Sequence, residues 1–206
     1  YGAYLTKTED LTARDIINAS LPTLSPPSSC CSRSQPLMNG FSQHKHETKP
    51  IVTDQKVLDA IKFEDQQGET ITFKEWFSNG PTLVVFFYTR CENPHKCPKT
   101  MTKLRRIQER IGDGTLQTAA ITYDSLYDNP ERLLSYGKTY GLQMSQQHRL
   151  LRACDNFDDL AHYFDLGVGR VGSTVNRHQV EAFIVDRNGQ VVTTAQRLDW
   201  SEDQLL

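Results

Sequence analysis

Cys91 and Cys97 are separated by Glu-Asn-Pro-His-Lys and followed at once by Pro98. Before them runs Thr82-Leu-Val-Val-Phe-Phe-Tyr-Thr89, a continuous apolar, β-branched and aromatic stretch that predicts a strand buried on both faces. After them Met101, Leu104, Ile107 and Ile111 recur at helical spacing, which predicts a helix from about Pro98 to Ile111. Pro98 suits its first turn, where the missing N–H costs nothing. The two thiols therefore stand at a strand–helix junction. Unpaired N–H groups and the helix dipole favour negative charge there, so a thiol in that place has its thiolate stabilised and its pKa lowered. Arg90, His95, Lys96 and Lys99 add positive charge nearby. Two thiolates close together either become a disulfide or grip a soft metal ion such as copper or zinc. The five-residue bridge is longer than the two of a CxxC motif, which leaves disulfide geometry open.

The chain has five cysteines, the others being Cys30, Cys31 and Cys154, and an odd number cannot all pair within one chain. The spacings do not make the two CxxC pairs of a structural zinc site. Cys30 and Cys31 are adjacent and too strained to bridge each other readily. With His44 and His46 they form either an auxiliary soft-metal site or part of a solvated arm. Cys154 follows a strand-like run and reads as a buried small apolar residue, with a resolving thiol as the alternative. His95 is a solvated loop residue or an extra ligand. His162, beside Tyr163 and Phe164, is packed or half exposed, and His148 has no partner in view. Taken alone, His178 is a hydrogen-bonded loop histidine. Asp124 is a turn-making carboxylate or a group that tunes the cysteines. Lys99, Lys103, Arg106 and Arg110 line one face of the helix, as a solvated surface or as a dock for an acidic partner that added salt would weaken.

The elements that must position these residues follow from pattern. At roughly 150 residues per domain, 206 residues allow one domain plus an arm. Residues 1–50 read as a weakly structured arm, because Leu21-Pro-Thr-Leu-Ser-Pro-Pro-Ser-Ser29 gives little to bury; a short helix is expected over Thr6 to Ala19. Residues 51–206 read as one globular domain. Ile61 to Phe63 and Thr70 to Phe73 alternate across Asp65-Gln-Gln-Gly68 and predict a hairpin. Gly112-Asp-Gly114 ends the cysteine helix, Leu116 to Tyr123 is a second strand, and Asn129 caps a helix that runs to about Tyr140 with Pro130 at its first position. Arg149 to Ala153 is a weak strand and Phe157 to Phe164 a short helix. Val180 to Val185 and Gln190 to Thr194 alternate across Asp186-Arg-Asn-Gly189, a second hairpin. Ser201 begins a last helix. Strand–helix–strand alternation with added hairpins predicts an α/β fold with a mixed sheet.

Composition closes off other classes. Lys+Arg 23 against Asp+Glu 25 leaves a net charge of −2, and with no basic stretch beyond the one helix face this argues against a general nucleic-acid binder. An apolar share of 37% with Gly and Pro at 12 and 9 excludes collagen-like, wholly disordered and disulfide-dense chains. The longest apolar run, Leu83 to Tyr88, is far short of the roughly 18 residues of a membrane span. No phosphate-binding glycine loop, HExxH or GxSxG is present. The chain starts on Tyr1 without an initiator Met, as expected of a mature product or a piece of something longer that an anchor once preceded.

Phe86-Phe-Tyr-Thr-Arg-Cys91 followed by Cys97-Pro98 resembles the Sco/SenC family of thioredoxin-fold copper proteins. Ile61-Lys-Phe-Glu-Asp-Gln-Gln-Gly68 is similar to the family's opening hairpin, and Ile121-Thr-Tyr-Asp124 with Asn129-Pro-Glu-Arg-Leu133 to its segment after the second core strand. His178 precedes Phe183-Ile-Val-Asp186-Arg-Asn-Gly189 as the family's histidine precedes its own strand and turn. The resemblance covers about residues 55–195. It implies a thioredoxin-like central mixed sheet with flanking helices and added hairpins. It also implies copper, as Cu(I) or Cu(II), held by Cys91, Cys97 and His178 in a metallochaperone for cytochrome c oxidase or another cuproprotein. The alternative is a thiol–disulfide oxidoreductase or redox sensor using Cys91 and Cys97; a plain interaction module that lost the metal is a third class. The implied partner is a copper-receiving or thiol protein. The implied location is the bacterial periplasm or cell envelope, membrane-associated through an upstream anchor, or the mitochondrial intermembrane space. The departure is the Cys-x5-Cys spacing, where the family usually has three residues.

Overall fold

The structure, a computed structural model, describes residues 54–111, 116–172, 174–196 and 201. The arm expected over residues 1–50 with Cys30, Cys31, His44 and His46, the glycine stop expected at 112–114 and the residues after Ser201, where a last helix is expected, lie outside the described residues.

Chain order is α1 (Gln55–Ala60), β1 (Lys62–Asp65), β2 (Thr70–Thr72), α2 (Phe73–Ser78), β3 (Thr82–Phe87), α3 (Cys97–Arg110), β4 (Gln117–Thr122), α4 (Pro130–Thr139), β5 (His148–Ala153), α5 (Phe157–Tyr163), β6 (Val168–Val171), β7 (Thr174–His178), β8 (Glu181–Val185) and β9 (Val191–Gln196). The main sheet has seven strands in the order β2-β1-β5-β4-β3-β8-β9, and β6 and β7 form a separate two-stranded ribbon. β3, β4 and β5 run parallel, while β1 and β8 pair antiparallel with β5 and β3. This is the mixed sheet that the strand–helix alternation and the two hairpins predict.

All six residues of β3 are buried, as its unbroken apolar run requires. Alternate side chains serve opposite faces. Val84 and Phe86 join Leu58 of α1, Phe73, Trp76 and Phe77 of α2 and Leu160 of α5. Leu83, Val85 and Phe87 join Met101, Leu104 and Ile107 of α3, Leu133 of α4 and both site cysteines. Each such large side chain contributes about 1.5–3 kcal/mol on burial, so the strand that presents Cys91 is clamped on both sides.

Local signals hold where they have a mechanism. Asn129 accepts a bond from the Arg132 amide at 3.0 Å and caps α4, with Pro130 in its first turn. Asp65 accepts from the amides of Gln67 (2.8 Å) and Glu69 (2.9 Å), closing the first hairpin around Gly68 at φ +84°. Four elements are absent from the sequence reading. α1 and α2 are six residues each, too short to show a period; α2 begins with a capping box between Thr72 and Glu75, and Phe73 opens this helix instead of ending a strand. In the β6–β7 ribbon only Val175 and His178 are buried, so no alternation marks it. Two single-residue readings are corrected. Cys154 is exposed, not a buried apolar residue, because β5 ends at Ala153 and the chain leaves the sheet there. His162, in the last turn of α5, is exposed and not packed.

Candidate metal centre

β3 delivers the chain to the carboxyl end of the parallel strands, where two turns coil the bridge between the cysteines. The Cys91 amide donates to the Tyr88 carbonyl at 3.2 Å and the Lys96 amide to the Asn93 carbonyl at 3.1 Å. The Asn93 side chain accepts from the His95 amide at 2.9 Å. The residues from Glu92 to His95 are thereby exposed, while Cys91 and Cys97 turn inward at 9% and 1% exposure. The longer spacing is absorbed by this coil and does not splay the sulfurs. Cys97 is the first residue of α3.

His178, the last residue of β7, closes the site from the ribbon. Its Nε2 lies 3.5 Å from Cys91 Sγ and 3.6 Å from Cys97 Sγ, and the three donor atoms all fall within 4.8 Å of one another. Its Nδ1 lies 2.8 Å from the Gln179 carbonyl. A carbonyl only accepts, so Nδ1 carries the proton and the Nε2 lone pair faces the sulfurs, the tautomer a metal ligand needs. The ring sits edge-on to Tyr88 and tilted on Tyr123, each with centroids 5.3 Å away. The structure thus brings Cys91, Cys97 and His178 together; His95 is exposed and outside the cluster.

The pair shares its charge unequally. A hydrogen bond from Cys97 holds the Cys91 pKa well below the usual thiol range; burial opposes this, and the backbone at Cys97 and Asn93 assists. That same bond, then burial, pushes the Cys97 thiol up. The reduced pair thus shares one proton between its two sulfurs, with Cys91 the more acidic. Burial first and the cysteine charge second raise the Tyr88 hydroxyl to about 12.

Several supporting residues escaped the sequence reading. Asp128 accepts from the Thr89 amide at 3.1 Å and from the hydroxyls of Thr89 and Thr122, fixing the end of β3. Asp124 makes the expected backbone turn, and its carboxylate also binds Arg90 through Nε at 3.2 Å and through Nη2. Arg90 stacks on Tyr127 at 4.0 Å, and Arg132 lies over the same ring at 4.1 Å. Among these, Asp124, just past a core strand, and Arg90, beside Cys91, had a sequence signal. His148 is partnered, with Nδ1 3.0 Å from Thr118 Oγ1.

Glu181, three residues beyond His178, is buried at 4% exposure, and its carboxyl is raised from 4.5 to about 7, chiefly by burial and then by Asp165, with His178 opposing. The folded state therefore keeps a proton between these values that the unfolded chain has lost, and stability falls as pH rises through about 7. Thermal melts should show a lower midpoint at pH 8 than at pH 5.5, and Glu181→Gln should remove most of that difference.

The SCO1/SenC family model matches residues 52–206. No curated protein matches the sequence. Among solved structures, a SCO1/SenC family lipoprotein from Bacillus anthracis is 18% identical, with 70% of this chain and 87% of that one covered and a TM-score of 0.58. BsSco, a member of the Sco family of cytochrome c oxidase assembly proteins in which a disulfide switch is identified, is 17% identical over 70% and 85%, with a TM-score of 0.60. Yeast Sco1 with copper bound is 20% identical over 70% and 83%, with a TM-score of 0.53. These likenesses show that the fold is thioredoxin-like. The matched span takes in both site cysteines, His178 and every described element, and the chain belongs to the SCO1/SenC family.

Proposed function

We propose that the protein carries copper as cargo, held by Cys91, Cys97 and His178, and passes it by ligand exchange to a receiving protein. The observation that carries this reading is the convergence of two sulfurs and a lone-pair imidazole nitrogen in one buried cluster. Two thiolates suit Cu(I), and the added imidazole makes Cu(II) tolerable. Metal binding requires deprotonated sulfur, so loading releases the proton that the pair still holds and fails once the pair is oxidised. A copper-bound structure of yeast Sco1 supports the choice of metal. Assembly of cytochrome c oxidase, the role of the Sco family to which BsSco belongs, is the receiving pathway we favour. A location outside the bacterial cytoplasm, membrane-associated as in the B. anthracis lipoprotein, accompanies that reading; among the described residues no helix is long and apolar enough to cross a membrane. Anaerobic loading of the reduced protein with Cu(I), followed by desalting, should leave one copper per chain. Retention of none, or equal retention after the thiols are alkylated, would overturn the proposal.

A second reading, thiol–disulfide exchange, is favoured by the unequal pair. Cys91 is the more exposed and the more acidic of the two, so it attacks a substrate disulfide and releases one thiol. Cys97 then attacks the mixed disulfide through Cys91, which frees the second substrate thiol and leaves Cys91–Cys97 oxidised. The disulfide switch identified in BsSco supports it.

A further inference from the structure

We propose that Lys96 is a positioning residue of the centre: its ammonium ties the cysteine loop to the strand end that carries His178 and so sets where the imidazole stands. This rests on the copper reading for its functional meaning but not for its geometry. The two halves of the cluster come from different sheets. The cysteines hang from β3 and α3, whereas His178 ends the β6–β7 ribbon, which pairs with no strand of the main sheet. The chain rejoins that sheet only at Glu181, where β8 begins.

Side chains stitch the ribbon to its surroundings. The Tyr123 hydroxyl donates to the Gln179 carbonyl at 3.2 Å, and Arg170 donates to the Tyr123 carbonyl; both join the ribbon to the end of β4. Lys96 belongs to the cysteine loop itself. Its Nζ donates to the His178 carbonyl at 2.9 Å, on the residue that supplies the ligand. Its own backbone is fixed on both sides, since its amide bonds Asn93 and its carbonyl accepts from the Thr100 amide (2.9 Å) and hydroxyl (3.1 Å). The side chain is thus a short arm from a rigid point, half-buried, ending in a charge-assisted bond, which is roughly twice as strong as a neutral one.

Arg90 anchors the other end of the loop to Asp124, so each cysteine is preceded by a tethered cation. Loss of the Lys96 tether leaves all three donors in place, and the ring's contacts to Gln179, Tyr88 and Tyr123, but loosens the strand end that carries the imidazole. Cu(II), which depends on nitrogen more than Cu(I) does, registers that freedom most. Partners that orient a metal-ligating histidine are worth about 10–100-fold in affinity.

Lys96→Met is therefore expected to lower Cu(II) affinity about tenfold and leave Cu(I) affinity within about threefold, with Lys96→Arg restoring the parent values. In the metal-free reduced protein, NMR contacts from the His178 ring to Tyr88 and Tyr123 should weaken in Lys96→Met and return in Lys96→Arg. Unchanged ring contacts in Lys96→Met would overturn the proposal. So would an equal fall in both copper states, or failure of Lys96→Arg to restore them. Should the parent protein bind no copper, the copper reading fails, and the ring contacts alone decide the role of Lys96.

Discussion

Cys97→Ser is expected to lower Cu(I) affinity by roughly 10²–10³-fold while leaving the fold intact. The magnitude follows from sharing the roughly 10–16 kcal/mol of a four-ligand metal site among its ligands, about 3–4 kcal/mol each, and from about 1.4 kcal/mol per factor of ten. A serine hydroxyl is a hard donor that does not deprotonate near neutral pH, so it replaces the volume of the thiol without its chemistry. Cys97 sits in the core among Phe87, Met101 and Leu104 and is 1% exposed. The substitution therefore costs about 1–3 kcal/mol of stability if the hydroxyl finds no partner, which a thermal melt separates from the copper effect. Competition against a chromogenic Cu(I) chelator measures the affinity. The same variant tests the exchange chemistry: with the resolving thiol gone, a mixed disulfide should accumulate through Cys91, whereas Cys91→Ser should trap none. Affinity within about threefold of the parent, less than the roughly 10–100-fold lost when only a ligand's hydrogen-bond partner is removed, would remove Cys97 from the ligand set.

His178→Ala is expected to separate the two oxidation states of the cargo. Cu(II) affinity should fall by roughly 10²–10³-fold, the share of one ligand, and Cu(I) affinity by about tenfold or less, because two thiolates alone suit the softer ion. Each factor of ten between the two raises the copper reduction potential by about 59 mV, so voltammetry of the loaded protein reads the split directly. Alanine also empties the space between Tyr88 and Tyr123. His178→Met, which fills it with a soft thioether, should therefore keep Cu(I) and still lose Cu(II). Parallel losses of both ions in both variants would mean that the histidine supports the fold and not the metal.

Much of the centre was legible in the sequence because its parts carry strong local physics. The apolar, β-branched run of β3 fits a strand buried on both faces, and Pro98 with the Met101, Leu104, Ile107 stripe fits the opening of a helix. Cys91 and Cys97 at that junction announce thiolate chemistry before any family likeness is considered. His178 was different. It lies 81 residues from Cys97, on a ribbon whose strands show no alternation, and alone it looks like any loop histidine. Resemblance implied a ligand role for it, and the structure shows it closing the cluster from outside the main sheet. The effect of the longer bridge was not legible at all, because it depends on the Asn93 turn and on the Arg90 and Lys96 tethers. Asp128, Thr89 and Thr122 were silent for the same reason: their meaning is a set of hydrogen bonds between β3, β4 and the loop after it. Cys154 misled because a residue one position past a strand looks buried by pattern and is exposed by geometry.

X-ray absorption at the copper edge of the reduced, Cu(I)-loaded protein tests the coordination most directly. Two sulfurs and one imidazole nitrogen should coordinate the copper, with one sulfur lost in Cys91→Ser. A shell built from nitrogen and oxygen alone, or one unchanged by that substitution, would contradict that coordination.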